Sequence, residues 1–201
     1  MAYLLGAEIK EIYLYPLGGI TKFNIELNIS MIKEIMILIM GPIFQFIAYY
    51  ILLLLLPDRK ELIKTYHYSI LIFNLLPIYP LDGGKLLNIF FNTFISYKKS
   101  LKVIIKISYI VLAIIFIYSK KNINIFIMIV LLIILIEKER KKINYIYNKF
   151  LLERYLNNYN FKKCKITSNI NNFHRSKRHL IYENNKYYLE KEMLNNKYKK
   201  I

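Results

Sequence analysis

Asp82 is the residue of this chain whose surroundings most clearly suggest chemistry. It lies in residues 74–85, Asn-Leu-Leu-Pro-Ile-Tyr-Pro-Leu-Asp-Gly-Gly-Lys, which interrupt an apolar stretch over residues 66–95. A carboxylate in hydrocarbon is costly unless it is paired or binds a metal ion. The pattern therefore predicts a metal ion or a network of donors beside Asp82. Asp-Gly also forms ordinary turns at membrane boundaries, and the residues alone leave this alternative open.

Other metal-binding side chains are scarce in the sequence. His67 precedes Asp82 by fifteen residues, so a helix would separate the two by about 22 Å along its axis. His174 and His179 fall in a polar tail, where we expect both to be solvated. Cys164 is the single cysteine, which excludes a Cys-based zinc site and predicts a bystander thiol.

The distribution of charge predicts how these residues are positioned. The chain has 201 residues, of which 56% are hydrophobic, yet its formal net charge is +17. Soluble domains seldom combine these two properties, and here they are segregated along the chain. We therefore predict a membrane-embedded region over residues 1–136 and a basic cytosolic tail over residues 137–201.

The apolar runs predict an all-α polytopic membrane protein. Gly41-Pro42 is expected to kink the first span, and Pro77 and Pro80 are expected to open the second. A short β-like segment, two strands about a turn, is predicted over residues 9–25. The expected spans are residues 35–56, 66–95, 103–118 and 123–136.

The basic residues predict the orientation. Lys138, Arg140, Lys141 and Lys142 follow the last span directly, which places the C-terminus in the cytosol of a multi-pass protein. Lysines beside a span are expected from topology and from the anionic bilayer, so we do not expect a nucleic-acid partner. Within the tail, residues 173–182 and 189–194 predict a strand, a turn, a second strand and a closing helix.

Three motifs together resemble the site-2 intramembrane proteases, peptidase family M50, and in particular the branch that acts in sporulation. Residues 74–83 resemble the family's Asn-x-x-Pro-x-x-Pro-x-Asp-Gly motif. Residues 9–19 resemble the segment after the family's metal-binding helix, and Gly41-Pro42 resembles the Gly-Pro of its next membrane helix. The resemblance implies a site-2 protease core in which Asp82 is a zinc ligand. It also implies that Asn74, Pro77 and Gly83 support the metal or position the substrate.

The same resemblance implies a function and partners. Family members of this branch are intramembrane zinc metalloendopeptidases that cleave a membrane-tethered pro-sigma factor or a similar protein. We accordingly expect zinc as cofactor, regulatory membrane proteins as partners, and a location in the cell or forespore membrane.

One part of the family pattern is missing. The family's other ligands come from His-Glu-x-x-His on a helix, whose Glu acts as general base, and this sequence has no such motif. Residues 2–9 resemble the continuation of that helix, so we expect Met1 to be an internal methionine. No catalytic residue is expected in the chain, which should be inactive by itself. The alternative is a non-catalytic membrane binding or regulatory protein derived from the family.

Overall fold

The structure is a computed structural model that describes residues 8–15, 18–24, 27–119, 122–161, 163–183 and 185–198. Within these ranges it is mostly helical and contains two small sheets. The strands are β1 (Glu8–Tyr15), β2 (Gly18–Asn24), β3 (Cys164–Thr167), β4 (Arg178–Glu183) and β5 (Lys186–Leu189). The helices are α1 (Met31–Leu55), α2 (Lys60–Leu75), α3 (Asp82–Phe94), α4 (Tyr97–Tyr118), α5 (Ile123–Leu156) and α6 (Glu190–Tyr198).

Two of the described helices are long and apolar enough to cross a membrane. They are α1 and α4. None of the α1 residues is buried within the protein, although most are apolar, so this helix offers hydrocarbon side chains on every face. A helix that is hydrophobic all round belongs in a large core or in lipid. The four-span topology remains a prediction.

The predicted second span is two helices in the structure. α2 ends at Leu75 and α3 begins at Asp82, because Pro77 and Pro80 cannot donate backbone hydrogen bonds. The backbone between them is satisfied locally and by α4. Ile78 N–H donates to the Leu76 carbonyl at 2.7 Å, and Tyr79 N–H donates to Ser108 Oγ at 2.8 Å.

The two predicted strands near the N-terminus are confirmed by the structure. β1 and β2 pair antiparallel, from Glu8 opposite Asn24 to Tyr15 opposite Gly18, with an irregularity between Ile9 and Glu11. Residues 16 and 17, on which the predicted turn falls, lie outside the described residues, as do residues 1–7.

The tail folds into a small module built on the end of α5. β3 and β4 pair in parallel, β4 and β5 pair antiparallel, and α6 packs on both β4 and β5. This confirms the predicted strand, turn, strand and closing helix. α5 is a single helix that continues through residue 136, the predicted end of the membrane region. Its C-terminal half supplies the buried side chains Tyr147, Phe150 and Leu151. They pack in one core with Phe173, Ile181 and Leu194 of the module.

Candidate functional site

Asp82 lies where the first turn of α3 meets α1. Its Oδ1 is 3.2 Å from Lys85 Nζ, and the two side chains are 30% and 41% exposed, respectively. Its Oδ2 faces Gly41 of α1, where an added methyl group would lie 3.5 Å from that oxygen. Among the described residues, Oδ2 accepts no hydrogen bond. The carboxylate therefore has one partly exposed partner and one oxygen that is free for another ligand.

Gly83 and Gly84 allow α3 to begin directly against the end of α2. A Cβ atom at Gly83 would lie 2.2 Å from the Leu75 carbonyl oxygen, and one at Gly84 would lie 2.5 Å from the backbone of Ile78. Both distances are below any ordinary contact with backbone atoms, so only glycine fits at either position. Asp82 and Gly83 are thus the first residues of a packed helix rather than a surface turn.

The other residues of the motif lie on the elements that precede Asp82. Asn74 is in the last turn of α2 and is half-buried, and its side chain forms no hydrogen bond with the described residues. Pro77 is in the break between α2 and α3. α2 and α3 are in contact, but no hydrogen bond joins Asn74 to Asp82. Supporting roles for Asn74, Pro77 and Gly83 remain predictions.

His67 lies between α1 and α2. Its ring stacks on Tyr49 at 4.2 Å between centroids and meets the edge of Phe46 at 4.8 Å. The side chain is buried, and neither ring nitrogen has a hydrogen-bond partner within the described structure. Its ring thus contacts aromatic side chains of α1.

The prediction that His174 and His179 are solvated is wrong. Their residues are 4% and 0% exposed, respectively. His179 stacks on Phe173 with ring centroids 4.3 Å apart, and its Nε2 accepts a hydrogen bond of 2.9 Å from the His174 backbone N–H. Burial arises because the tail folds around the end of α5, whose partners are far away in sequence.

Arg154 is the centre of that buried cluster. Its guanidinium donates to Glu190 Oε1 at 2.8 Å, to the His174 carbonyl at 2.9 Å and to the Arg175 carbonyl at 2.8 Å. Burial alone would raise the pKa of Glu190, but hydrogen bonds and charge from His179 and Arg154 outweigh it and hold the pKa below its ordinary value. Arg154 and Glu190 form a buried ion pair, which sequence analysis missed because the two residues are 36 positions apart in the chain.

The same cluster holds the chain just before α1. Arg154 Nε donates to Asn28 Oδ1 at 2.8 Å, and Glu153 Oε2 accepts from Leu27 N at 2.7 Å and from Asn28 N at 3.2 Å. Arg175 forms an ion pair with Glu34, in the first turn of α1. The C-terminal module is therefore attached to the helix whose Gly41 contacts Asp82.

The described residues do not by themselves fit a zinc site. Zinc in proteins takes four ligands, usually from His, Cys, Asp or Glu, with water in one position of a catalytic site. Across the described ranges, no three such side chains are close enough to hold a metal ion. Asp82 can contribute one ligand, and Lys85 competes for the same carboxylate. The described residues alone therefore do not complete a metal site.

Comparison with known proteins places these features in context. Residues 61–118 match the model of peptidase family M50, and this range includes Asp82 and the preceding motif residues. Stage IV sporulation protein FB of Bacillus subtilis (strain 168) is 30% identical over 166 residues. The alignment covers 77% of this chain and 57% of the relative. The chain thus spans less than two thirds of the length of the curated relative that it matches.

Proposed function

Because this chain is related to peptidase family M50, we propose that it acts in a membrane as part of a site-2-type zinc metalloendopeptidase. In this proposal Asp82 is a zinc ligand. Bound zinc would supply a polarised water for hydrolysis of a peptide bond. The remaining ligands and the general base are assigned to a helix with His-Glu-x-x-His, which the family resemblance implies.

The environment of Asp82 is the observation that carries this proposal. The carboxylate is fixed at the start of α3 by Gly83 and Gly84, since no other residue lets the helix lie so close to the backbone of α2. It adjoins α1, a helix apolar enough to cross a membrane. One oxygen is unpaired within the described chain. A carboxylate placed among apolar helices with unused coordination capacity is typical of a functional site.

We further propose a membrane-tethered protein as substrate, such as a pro-sigma factor, and regulatory membrane proteins as partners. The name of the Bacillus subtilis relative, which refers to sporulation, supports this choice. The proposed topology is multi-pass with a cytosolic C-terminus. In that topology the C-terminal module is on the same side of the membrane as the soluble part of a tethered transcription factor.

A reconstituted protease tests the proposal. The chain is expressed behind a helix that carries His-Glu-x-x-His, and cleavage of a membrane-tethered substrate and zinc content are measured in purified membranes. Asp82→Asn keeps the side-chain size but removes the charge. Loss of a supporting partner of a metal ligand costs about 10–100-fold, so loss of the ligand itself should reduce cleavage by at least about 100-fold and lower bound zinc.

Asp58→Asn is the matched control, because Asp58 is exposed in the 3₁₀ turn between α1 and α2. Its cleavage rate and zinc content should equal those of the parent. The 201-residue chain alone should bind zinc weakly and cleave nothing. Normal cleavage by Asp82→Asn would show that Asp82 is a structural residue and would overturn the proposed role.

A further inference from the structure

A cavity of about 260 Å³ lies where the end of α3, the start of α4 and the C-terminal module meet. Its polar lining consists of hydroxyl, amide, imidazole and ammonium groups, and no carboxylate lines it. These groups belong to Ser96, Lys99, Lys165, Thr167, Asn172 and His174. The cavity is separate from Asp82 and plays no part in the function proposed above.

The lining includes a buried donor without an acceptor. Lys165 Nζ is 2.8 Å from His174 Nε2. An ammonium group can only donate, so Nε2 is the acceptor and the proton of a neutral imidazole is on Nδ1. Burial, together with the charges of Lys165 and Lys177, lowers the pKa of His174 to about 4, so the ring is neutral at pH 7. His174 Nδ1 is buried and has no partner among the described residues.

Ser96, another residue that lines the cavity, carries a second unsatisfied group. Its residue is 4% exposed, and its Oγ forms no hydrogen bond with the described structure. Ser96 directly precedes α4, a helix of 22 residues, and the N-terminus of a long helix carries partial positive charge. Lys99 and Lys165 also line the cavity, and neither forms an ion pair with a described carboxylate. The lining thus offers donors and positive charge together.

We propose that this cavity binds the phosphate group of an anionic ligand, which is either a phospholipid headgroup or free phosphate. Phosphate accepts several hydrogen bonds and carries the charge that the two lysines leave unbalanced. α4 is apolar enough to cross a membrane, so its first turn belongs at a membrane surface. Phe94, which also lines the cavity, is 67% exposed, and Phe90 beside it is 56% exposed. These rings give an acyl chain an apolar surface to contact.

Lipid binding by the purified 201-residue chain in a neutral detergent tests this inference. Native mass spectrometry compares phosphatidylglycerol with phosphatidylcholine, and inorganic phosphate is added as a competitor. We expect phosphatidylglycerol to bind at least about tenfold more tightly. Both lipids carry a phosphate, but the choline cation of phosphatidylcholine cancels its charge and is repelled by Lys99 and Lys165, whereas phosphatidylglycerol is net anionic. Lys99→Gln and Lys165→Gln should each remove most of that preference.

Lys186→Gln is the control, because Lys186 is an exposed lysine of β5 that does not line the cavity. It should leave the lipid preference unchanged. Lys99 is exposed, so Lys99→Gln should not disturb folding. It therefore tests the phosphate site even if Lys165→Gln perturbs the fold. Melting curves of each variant report on folding separately.

Lipid binding and phosphate competition together distinguish a phospholipid ligand from free phosphate. Displacement of phosphatidylglycerol by millimolar inorganic phosphate supports one site with shared chemistry. Binding of phosphatidylglycerol that phosphate does not displace supports a lipid ligand that needs its acyl contacts, and binding of phosphate alone supports a soluble ligand. Equal binding of both lipids without any response to phosphate would overturn the inference. Equal losses in Lys99→Gln and Lys186→Gln would also overturn it, since only general surface charge would then be involved.

Discussion

Asp82 and Arg154 are two charged side chains that the fold treats in opposite ways. Arg154 is 3% exposed and donates hydrogen bonds to Asn28, Glu190 and three backbone carbonyls of the module. Asp82 forms an ion pair with Lys85 and with no other described residue, and its side chain is 30% exposed. The hydrogen-bond donors of Arg154 are thus occupied by the protein, whereas Asp82 has a carboxylate oxygen without a partner among the described residues.

The difference indicates where each side chain acts. A buried ion that makes every hydrogen bond it can is costly to disturb but has nothing left with which to bind a ligand. A carboxylate with a free oxygen contributes little to folding and remains available to a metal ion or a substrate. The comparison predicts that substitutions at Arg154 change stability, while substitutions at Asp82 change function. Four measurements test this contrast, beginning with the largest expected effect.

Arg154→Met should destabilise the C-terminal module by about 3–5 kcal/mol, because it leaves the Glu190 carboxylate buried without its cation. Urea unfolding of the chain in detergent, followed by limited proteolysis of the module, measures the change. Arg178→Met is the control, since Arg178 is exposed, and it should cost less than about 0.5 kcal/mol. Equal stabilities of the two variants would show that the buried cluster does not support the module.

Gly84→Ala should cost about 1–3 kcal/mol, because its Cβ would lie 2.5 Å from the backbone of Ile78 and α3 would have to move. Gly41→Ala has room, since the added Cβ would lie 3.5 Å from Asp82 Oδ2, and a helical glycine replaced by alanine gains about 0.5–1 kcal/mol. Thermal unfolding in detergent should therefore give shifts of opposite sign. A stable Gly84→Ala protein would contradict the close packing of α3 on the segment after α2.

The stability of the C-terminal module should fall as the pH is lowered from 7 to 5. Burial lowers the pKa of His174 from 6.5 to about 4, and burial also lowers the pKa of His179. These two imidazoles therefore take up protons at a higher pH in the unfolded chain than in the folded chain. For His174 the difference spans pH 6.5 to about 4, and it favours unfolding in between. His174 alone should account for about 1–2 kcal/mol. His174→Gln should flatten the profile, and an unchanged slope in that variant would contradict the assignment.

Asp82→Asn should change the free energy of unfolding by less than about 0.5 kcal/mol, because its ion pair with Lys85 is partly exposed. The same unfolding assay, with Asp58→Asn beside it, measures the effect. A loss of stability as large as that of Arg154→Met would show that Asp82, like Arg154, mainly supports the fold.

The helices and the break before Asp82 could be predicted from local sequence. Long apolar runs predict α1 and α4, and Pro77 and Pro80 predict the interruption of the second run. The role of Gly83 and Gly84 could not be predicted in this way. These glycines let α3 pack closely on the end of α2 and the segment after it, and this packing is not visible in local sequence. The motif marks Asp82 as a candidate, but its free oxygen is apparent only when the neighbours of both carboxylate oxygens are known.

The tail shows the opposite limit. Its polar composition led to the wrong prediction that His174 and His179 are solvated, since both residues are buried. Arg154 and Glu190 are 36 residues apart in sequence, so no local pattern could have predicted that they would bury the two imidazoles. Polar composition describes the average environment of a segment and not the environment of its individual side chains.

Within the part of the chain that the structure describes, the C-terminal module is joined to the helices at three places. One is the continuous α5, the second is the Tyr97 N–H that donates to the Phe173 carbonyl at 3.0 Å, and the third is the grip on Asn28 and Glu34. A domain on a single tether swings freely, and one with two attachments can still rotate about the line between them. With contacts to α5, to the start of α4 and to the start of α1, the module is expected to move together with these helices rather than about a single hinge.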